Sequence, residues 1–248
     1  MKKFGLIGFP LTHSFSKKYF TQKFEEEHIE GCQYDLYEME DVSEKLPLLI
    51  QNNKEELRGL NVTIPHKQNV IPFLNQLDPA AAAIGAVNVI KINADGKTKG
   101  YNSDYYGFKL SLEKLVGSDI ANVKALILGT GGASKAVKQA LIDLSIPYQY
   151  VSRNESKDSL AYSGVTKEVI KEHKLLINTT PLGMYPKVET CPTLPYDQLD
   201  SSYYLYDLVY NPETTLFMQK GLDKGASVCN GLEMLHLQAE KSWEIWNS

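Results

Sequence analysis

The sequence predicts an α/β protein of two units with mostly parallel sheets. Three observations carry this. Strand-like and helix-like segments alternate from end to end, a fresh strand–glycine turn–helix pattern begins near Asn122, and the chain closes on a long amphipathic helix. At 248 residues, each of two units has room for its own core.

The elements follow in order. The apolar run 4–9 reads as a first strand stopped by Pro10, too short for a signal peptide. Residues 16–28 suit a helix, 33–39 a strand, 43–52 a helix and 60–64 a strand that Pro65 ends. A helical stretch is expected after Lys67 through Leu77, followed by the alanine-rich 79–83. Residues 87–92 and 97–101 read as a strand and its return around the turn Asn93-Ala94-Asp95-Gly96. Apolar or aromatic residues at 105, 108, 112, 115 and 116 give 105–116 a helical period. In the second half, 124–128 is a strand, and 133–144 a helix with the stripe Ala136, Val137, Ala140, Leu141 and Leu144. Further strands are expected at 148–151, 175–178 and 204–209. The last helix, 232–246, puts Leu232, Leu235, Ala239, Trp243 and Trp246 on one face. The loop 181–195, with four prolines, is the longest irregular stretch.

Composition excludes several classes. Hydrophobic and charged fractions of 43% and 23% are those of a soluble globule. Net charge is −4 with no long basic run, so no nucleic-acid partner is suggested. No segment approaches the roughly 20 apolar residues of a membrane span. Cys32, Cys191 and Cys229 are far apart and never in a CxxC pair. That argues against a disulfide framework or a zinc site and fits a reducing, cytoplasmic setting.

In the second half, Leu126-Ile127-Leu128-Gly129-Thr130-Gly131-Gly132-Ala133-Ser134 sets a glycine-rich turn between a strand and an amphipathic helix. Such glycines let the backbone approach a pyrophosphate while the helix N-terminus faces its charge. A tight turn without a ligand is the alternative, and Ser134 stands where a third glycine or alanine often sits. The next strand ends Val151-Ser152-Arg153-Asn154, with Lys157 shortly after and no acid at the tip. Arg153 at that position favours the 2′-phosphate of NADP over the bare ribose of NAD.

In the first half, Asn61-Val62-Thr63-Ile64-Pro65-His66-Lys67 is a strand end carrying polar groups and a lysine. It reads either as a ligand-facing strand tip or as an exposed surface lysine. Ser14 and Ser16 at a helix start suit a carboxylate or a simple cap. Asn88 falls in an apolar run, where its amide needs partners. Asn102-Ser103-Asp104 puts a carboxylate at the start of the next helix, where capping is the common role.

Taken in order, these motifs resemble shikimate dehydrogenases over nearly the whole length. The match includes His13-Ser14-Phe15-Ser16, Asn61–Lys67, Gly85-Ala86-Val87-Asn88, Asn102-Ser103-Asp104 and Gly129–Ser134. It continues through Asn178-Thr179-Thr180-Pro181-Leu182-Gly183-Met184, Asp207-Leu208-Val209-Tyr210-Asn211-Pro212, Asn230-Gly231-Leu232 and Gln238.

The resemblance implies a substrate domain over 1–104, completed by 231–248, and a Rossmann-like NADP-binding domain over 105–230, with the C-terminal helix packing back on the substrate domain. It implies reversible NADPH-dependent reduction of 3-dehydroshikimate to shikimate, toward chorismate and the aromatic amino acids, by a monomer or homodimer. By motif, Lys67 and Asp104 are the catalytic pair. Ser14, Ser16 and Tyr210 hold the carboxylate, and Thr63, Asn88, Asn102 and Gln238 address the ring hydroxyls. The cofactor falls to Gly129, Gly131, Gly132, Ala133, Ser134, Ser152, Arg153, Lys157 and Thr179, with Met184 and Gly231 on the nicotinamide side. The chain departs from the family in having Ser152-Arg153-Asn154 where Asn-Arg-Thr and a second arginine are frequent, and in being short. Alternatives are a quinate/shikimate dehydrogenase using NAD or NADP, a non-catalytic ligand-binding homologue, and a folate-type dehydrogenase, which the helix-start serines do not suit.

Overall fold

The computed structural model describes residues 1–11 and 14–248. The chain divides into two compact units, Met1–Ser103 with Gln238–Ser248, and Asp104–Leu237.

The first unit runs β1 (Lys2–Gly8), α1 (Phe15–Glu26), β2 (Cys32–Glu38), α2 (Val42–Asn52), β3 (Leu57–Val62), β4 (Gln76–Leu77), α3 (Pro79–Ile84), β5 (Val89–Ile92) and β6 (Thr98–Tyr101). Its sheet has the order β2-β1-β3-β5-β6-β4. β1 lies parallel to both neighbours, while β5 is antiparallel to β3 and β6. The expected hairpin closes through Gly96, whose φ of +82° only glycine adopts readily.

The helix expected after Lys67 through Leu77 does not form. A turn over 64–70 gives way to the 3-10 turn Ile71–Phe73 and then to β4. Pro72 has no N–H for the Gln68 carbonyl, and its ring would clash with that carbonyl in an α-helix. Asn75 then reaches across instead. Its Oδ1 accepts from the Thr98 N–H at 2.8 Å and its own N–H donates to Thr98 Oγ1 at 3.1 Å, fixing β4 beside β6.

The second unit opens on α4 (Ser103–Val116) and continues β7 (Ala125–Leu128), α5 (Gly132–Asp143), β8 (Tyr148–Ser152), β9 (Ser159–Ala161), α6 (Lys167–Glu172), β10 (Leu175–Asn178), β11 (Tyr204–Asp207), α7 (Leu216–Leu222), β12 (Ser227–Cys229) and the start of α8 (Leu232–Asn247), which belongs to the first unit from Gln238 on. All neighbours in its sheet are parallel, in the order β12-β11-β10-β7-β8-β9. Counted from β7, this is the 3-2-1-4-5-6 order of a dinucleotide-binding sheet. β9, α6, α7 and β12 add to the elements expected from sequence.

Alternation along the strands builds the cores. Ala125, Ile127, Leu175 and Ile177 pack with Phe108 and Leu112 of α4 and Val137 and Leu141 of α5. Their neighbours Leu126, Leu128 and Leu176 pack on the other face with Ile170 of α6 and Phe217 and Met218 of α7. Strands covered on both faces must be apolar throughout, as Ala125–Leu128 and Leu175–Ile177 are. In the first unit, Ile7, Leu60, Val62 and Ile90 pack with Val42 and Leu46 of α2. Phe4, Leu6 and Val89 face Phe20 and Phe24 of α1 and Ala239, Ile245 and Trp246 of α8.

α8 therefore ends on the first unit's sheet, pinned by Trp246. Its indole stacks on Phe4 with ring centroids 4.8 Å apart, and Nε1–H donates to the Ile90 carbonyl at 3.1 Å. A Cβ added to Gly59 would lie 2.2 Å from the indole. Gly59→Ala is expected to destabilise the protein by about 1–3 kcal/mol through overpacking, read as a lower urea midpoint. An unchanged midpoint would show that the indole does not need this close approach. Among the described residues, no helix is long and apolar enough to cross a membrane.

Candidate active site

In the second unit the C-terminal ends of β7, β8 and β10 surround a cavity of about 480 Å³. Gly129–Gly131 follow β7, Ser152 and Arg153 end β8, and Thr179–Leu182 follow β10. Tyr162 joins them from the turn after β9. From β7 the sheet grows one way to β8 and the other way to β10, so the cavity sits at its switch point, where open parallel sheets bind ligands.

The glycines of the turn differ in role. A Cβ on Gly129 would come within 2.8 Å of Thr179 Oγ1, so this residue lets two loops touch. A Cβ on Gly131 or Gly132 would meet nothing within 4 Å, so these leave the head of α5 bare. α5 starts with no side-chain cap, and Ser134, almost fully buried, donates its hydroxyl to the Gly131 carbonyl at 2.7 Å. The helix head thus offers backbone N–H groups and the positive end of its dipole to an anion, and the site fits a dinucleotide pyrophosphate. Ala133 is exposed in the first turn of α5.

Of the other cofactor candidates, Thr179 donates to the Leu128 carbonyl at 2.9 Å, stitching β10 to β7. Ser152 donates to the Asn154 carbonyl and lies 3.2 Å from Ser159 Oγ, so its hydroxyl shapes the loop. Arg153 and Lys157 are both exposed. Lys157, Met184 and Gly231 do not line the cavity. Gly231 instead allows a close approach, because a Cβ there would lie 2.2 Å from the Leu208 carbonyl oxygen.

Sequence reasoning gave no role to the brace behind this cavity. Asn178 and Asp207, at the ends of β10 and β11, are fully buried. Asn178 Nδ2 donates to Asp207 Oδ1 at 2.9 Å, and its Oδ1 accepts from the N–H and hydroxyl of Thr180 at 3.0 and 2.6 Å. Asp207 also accepts from the Val209 N–H at 3.0 Å and from Thr215 Oγ1 at 2.6 Å. Burial pushes its carboxyl up to about 6, against the pull of these three bonds. Tyr162 was also missed, since nothing about residues 159–164 marks them as an element.

In the first unit, Lys67 sits on the turn that follows β3, half-buried, its carbonyl accepting from the Val87 N–H at 2.7 Å. Thr63 precedes it, with its N–H on the Ile7 carbonyl at 2.8 Å and its carbonyl taking the His66 N–H at 2.9 Å. The buried His66 ring donates through Nε2 to the Met39 carbonyl at 2.7 Å. Asn88 and Gln238 come together, Nδ2 to Oε1 at 3.5 Å, and Asn102 Nδ2 donates to the Ala86 carbonyl at 3.0 Å. Ser14 caps α1, accepting the Lys17 N–H at 3.1 Å, and Ser16 lies in the first turn of that helix. His13 lies outside the described residues. Asp104, in the first turn of α4, and Tyr210, exposed after β11, belong to the second unit.

A family model for the shikimate dehydrogenase substrate binding domain matches residues 6–90. The shikimate dehydrogenase (NADP(+)) of Clostridium beijerinckii is 43% identical, the match covering 99% of this chain and 92% of that protein. Among solved structures, a chorismate mutase/shikimate 5-dehydrogenase fusion protein from Clostridium acetobutylicum has a TM-score of 0.85 at 33% identity, covering 100% of this chain and 91% of that one. The shikimate 5-dehydrogenase of Listeria monocytogenes, solved in complex with shikimate and NAD, has a TM-score of 0.86 at 29% identity, covering 100% and 92%. Likeness of this extent, over a chain that keeps the family's motifs in order, has one meaning: the chain belongs to the shikimate dehydrogenase family.

Proposed function

We infer that this protein is an NADP-dependent shikimate dehydrogenase that reversibly reduces 3-dehydroshikimate to shikimate, in the pathway to chorismate and the aromatic amino acids. One observation carries this furthest: the switch-point cavity has a bare helix head for a pyrophosphate and Arg153 at the tip of β8. The free cysteines Cys32, Cys191 and Cys229 agree with a reducing cytoplasm.

When bound, the nicotinamide supplies the hydride. As the carbonyl oxygen gains charge, Lys67 stabilises it and delivers a proton, while Asp104 orients the lysine and accepts from the neighbouring hydroxyl. Ser14, Ser16 and Tyr210 hold the carboxylate, and Thr63, Asn88, Asn102 and Gln238 hold the ring hydroxyls. Met184 and Gly231 take the nicotinamide side. The direct test follows NADPH oxidation with 3-dehydroshikimate, and no turnover in folded protein would overturn the assignment.

NADP preference rests on Arg153, with Lys157 beside it. Arg153→Ala is expected to raise KM for NADP about 10–100-fold, the worth of lost charge-assisted bonds, and to leave KM for NAD within about twofold. Equal losses with both cofactors would remove Arg153 from the 2′-phosphate. A quinate/shikimate dehydrogenase using NAD or NADP is the second reading; the single arginine at the tip of β8 and a relative solved with shikimate and NAD favour its use of NAD. Faster turnover of quinate with NAD than of shikimate with NADP would select it.

A further inference from the structure

A buried run of hydrogen bonds in the first unit links residues to which no ligand contact is assigned. Tyr34, Asn61, Ser103 and Ser242 are all buried. Tyr34 Oη lies 2.7 Å from Asn61 Oδ1, and Asn61 Nδ2 lies 3.0 Å from Ser242 Oγ. Ser242 Oγ is 2.8 Å from the Gln238 carbonyl and 3.4 Å from Ser103 Oγ. Asn88 Nδ2 is 3.0 Å from Ser103 Oγ, and the Ser103 N–H is 2.6 Å from Asn88 Oδ1.

The direction of every bond is forced. A backbone N–H only donates, so the Asn88 atom facing it is the oxygen, and the Asn88 nitrogen faces Gln238. A carbonyl only accepts, so the single Ser242 proton goes to the Gln238 carbonyl. The Asn61 atom 3.4 Å from the Asn88 carbonyl is likewise nitrogen. Its partner atom is oxygen and takes the Tyr34 proton, and Ser103 gives its proton to Ser242. Gln238 must then turn Oε1 to Asn88, which makes its Nε2 end the donor it offers a ligand.

We propose that the Ser103 N–H fixes the amide polarity of Asn88 and through it that of Gln238, and that Tyr34, Asn61 and Ser242 are positioning residues that hold Ser103 and Asn88 in place, so that Gln238 presents N–H rather than oxygen to a ring hydroxyl of the substrate. This rests on the assignment of Asn88 and Gln238 to the substrate. Complete satisfaction of a buried network also holds its members in one rotamer each. The relay runs from Tyr34 through Asn61, Ser242 and Ser103 to the amides assigned to the hydroxyls.

The test is a double-variant cycle of Ser242→Ala and Gln238→Ala, assayed with shikimate. Ser242→Ala is expected to raise KM for shikimate about tenfold, with kcat within about threefold and KM for NADP unchanged. Added to Gln238→Ala it should change KM less than about twofold, because its target is already gone. Effects that multiply in the double variant, or an equal rise in KM for NADP, assign the network to general stability and overturn the proposal. Tyr34→Phe keeps the ring stacked 4.8 Å from Phe20, and should shift KM for shikimate in the same direction should Ser242→Ala not fold. The side-chain amide signals of Asn88 and Gln238 are followed by 1H–15N NMR without substrate. They should move in Ser242→Ala or Tyr34→Phe, and unmoved signals overturn the relay whatever the activity. Moved signals in a protein that does not turn over shikimate would uphold the relay and remove the functional assignment instead.

Discussion

Replacing Lys67 with alanine is expected to lower kcat for 3-dehydroshikimate reduction about 10³-fold while KM changes less than about threefold. Positioned proton donors contribute about 10²–10⁴-fold, and this lysine is assigned both the proton and the stabilisation of the charged oxygen. A split confined to kcat is expected because the group acts where charge develops, not on the resting substrate. The variant should fold normally. The turn that carries Lys67 is held by main-chain bonds from Val87 to Lys67 and from His66 to Thr63, and by the His66 ring on the Met39 carbonyl. None of these uses the lysine ammonium. Lys67→Arg is expected to recover little, since a guanidinium keeps its proton at any accessible pH and carries it on a wider head. A kcat within tenfold of the unmodified protein, in a variant that melts normally, would sink the assignment.

What could be read from the sequence follows from where its signals are local. The strands β7, β10 and β11 are short apolar runs bounded by polar or glycine residues, and a sheet covered on both faces leaves them no other composition. The glycine turn and Arg153 were legible because they sit at fixed offsets from a strand end. The helix expected after Lys67 through Leu77 fails at Pro72, whose missing N–H shortens the segment to a 3-10 turn. β9, α6, α7 and β12 are 3, 6, 7 and 3 residues long, too short to show a period against their surroundings. At the site, the motifs marked which residues matter but not how they are held. Tyr34, Ser103 and Ser242 are ordinary polar residues in sequence, and only tertiary structure brings Asn61 and Ser242, 181 positions apart, within 3.0 Å. The same holds for Asp207, whose place in a motif says nothing of its complete burial.

Asp207→Ala is expected to cost about 3–5 kcal/mol of stability, read by urea unfolding. Its carboxyl accepts from Asn178 Nδ2, the Val209 N–H and Thr215 Oγ1 at a site closed to water, and each abandoned donor costs about 1–3 kcal/mol. The damage should reach the cofactor. Asn178 holds Thr180, and Thr180 lines the cavity, so KM for NADP should rise in whatever fraction stays folded. Asp207→Asn separates charge from shape. Its oxygen can still take the Asn178 and Val209 donors, and its nitrogen can face Thr215 with that hydroxyl turned. The folded carboxyl titrates at about 6, above the roughly 3.9 of an unfolded chain. Below about pH 4 both states hold the proton and the group contributes no difference. Between about pH 4 and 6 the unfolded chain releases its proton first, so the native protein loses stability as pH rises, by about 3 kcal/mol in all. The asparagine variant lacks this titration. Its stability relative to the unmodified protein should therefore improve by about that amount between about pH 4 and pH 7. A difference that stays flat across that window would mean that Asp207 ionises as freely in the folded protein as in the unfolded chain, and that the brace does not strain its own charge.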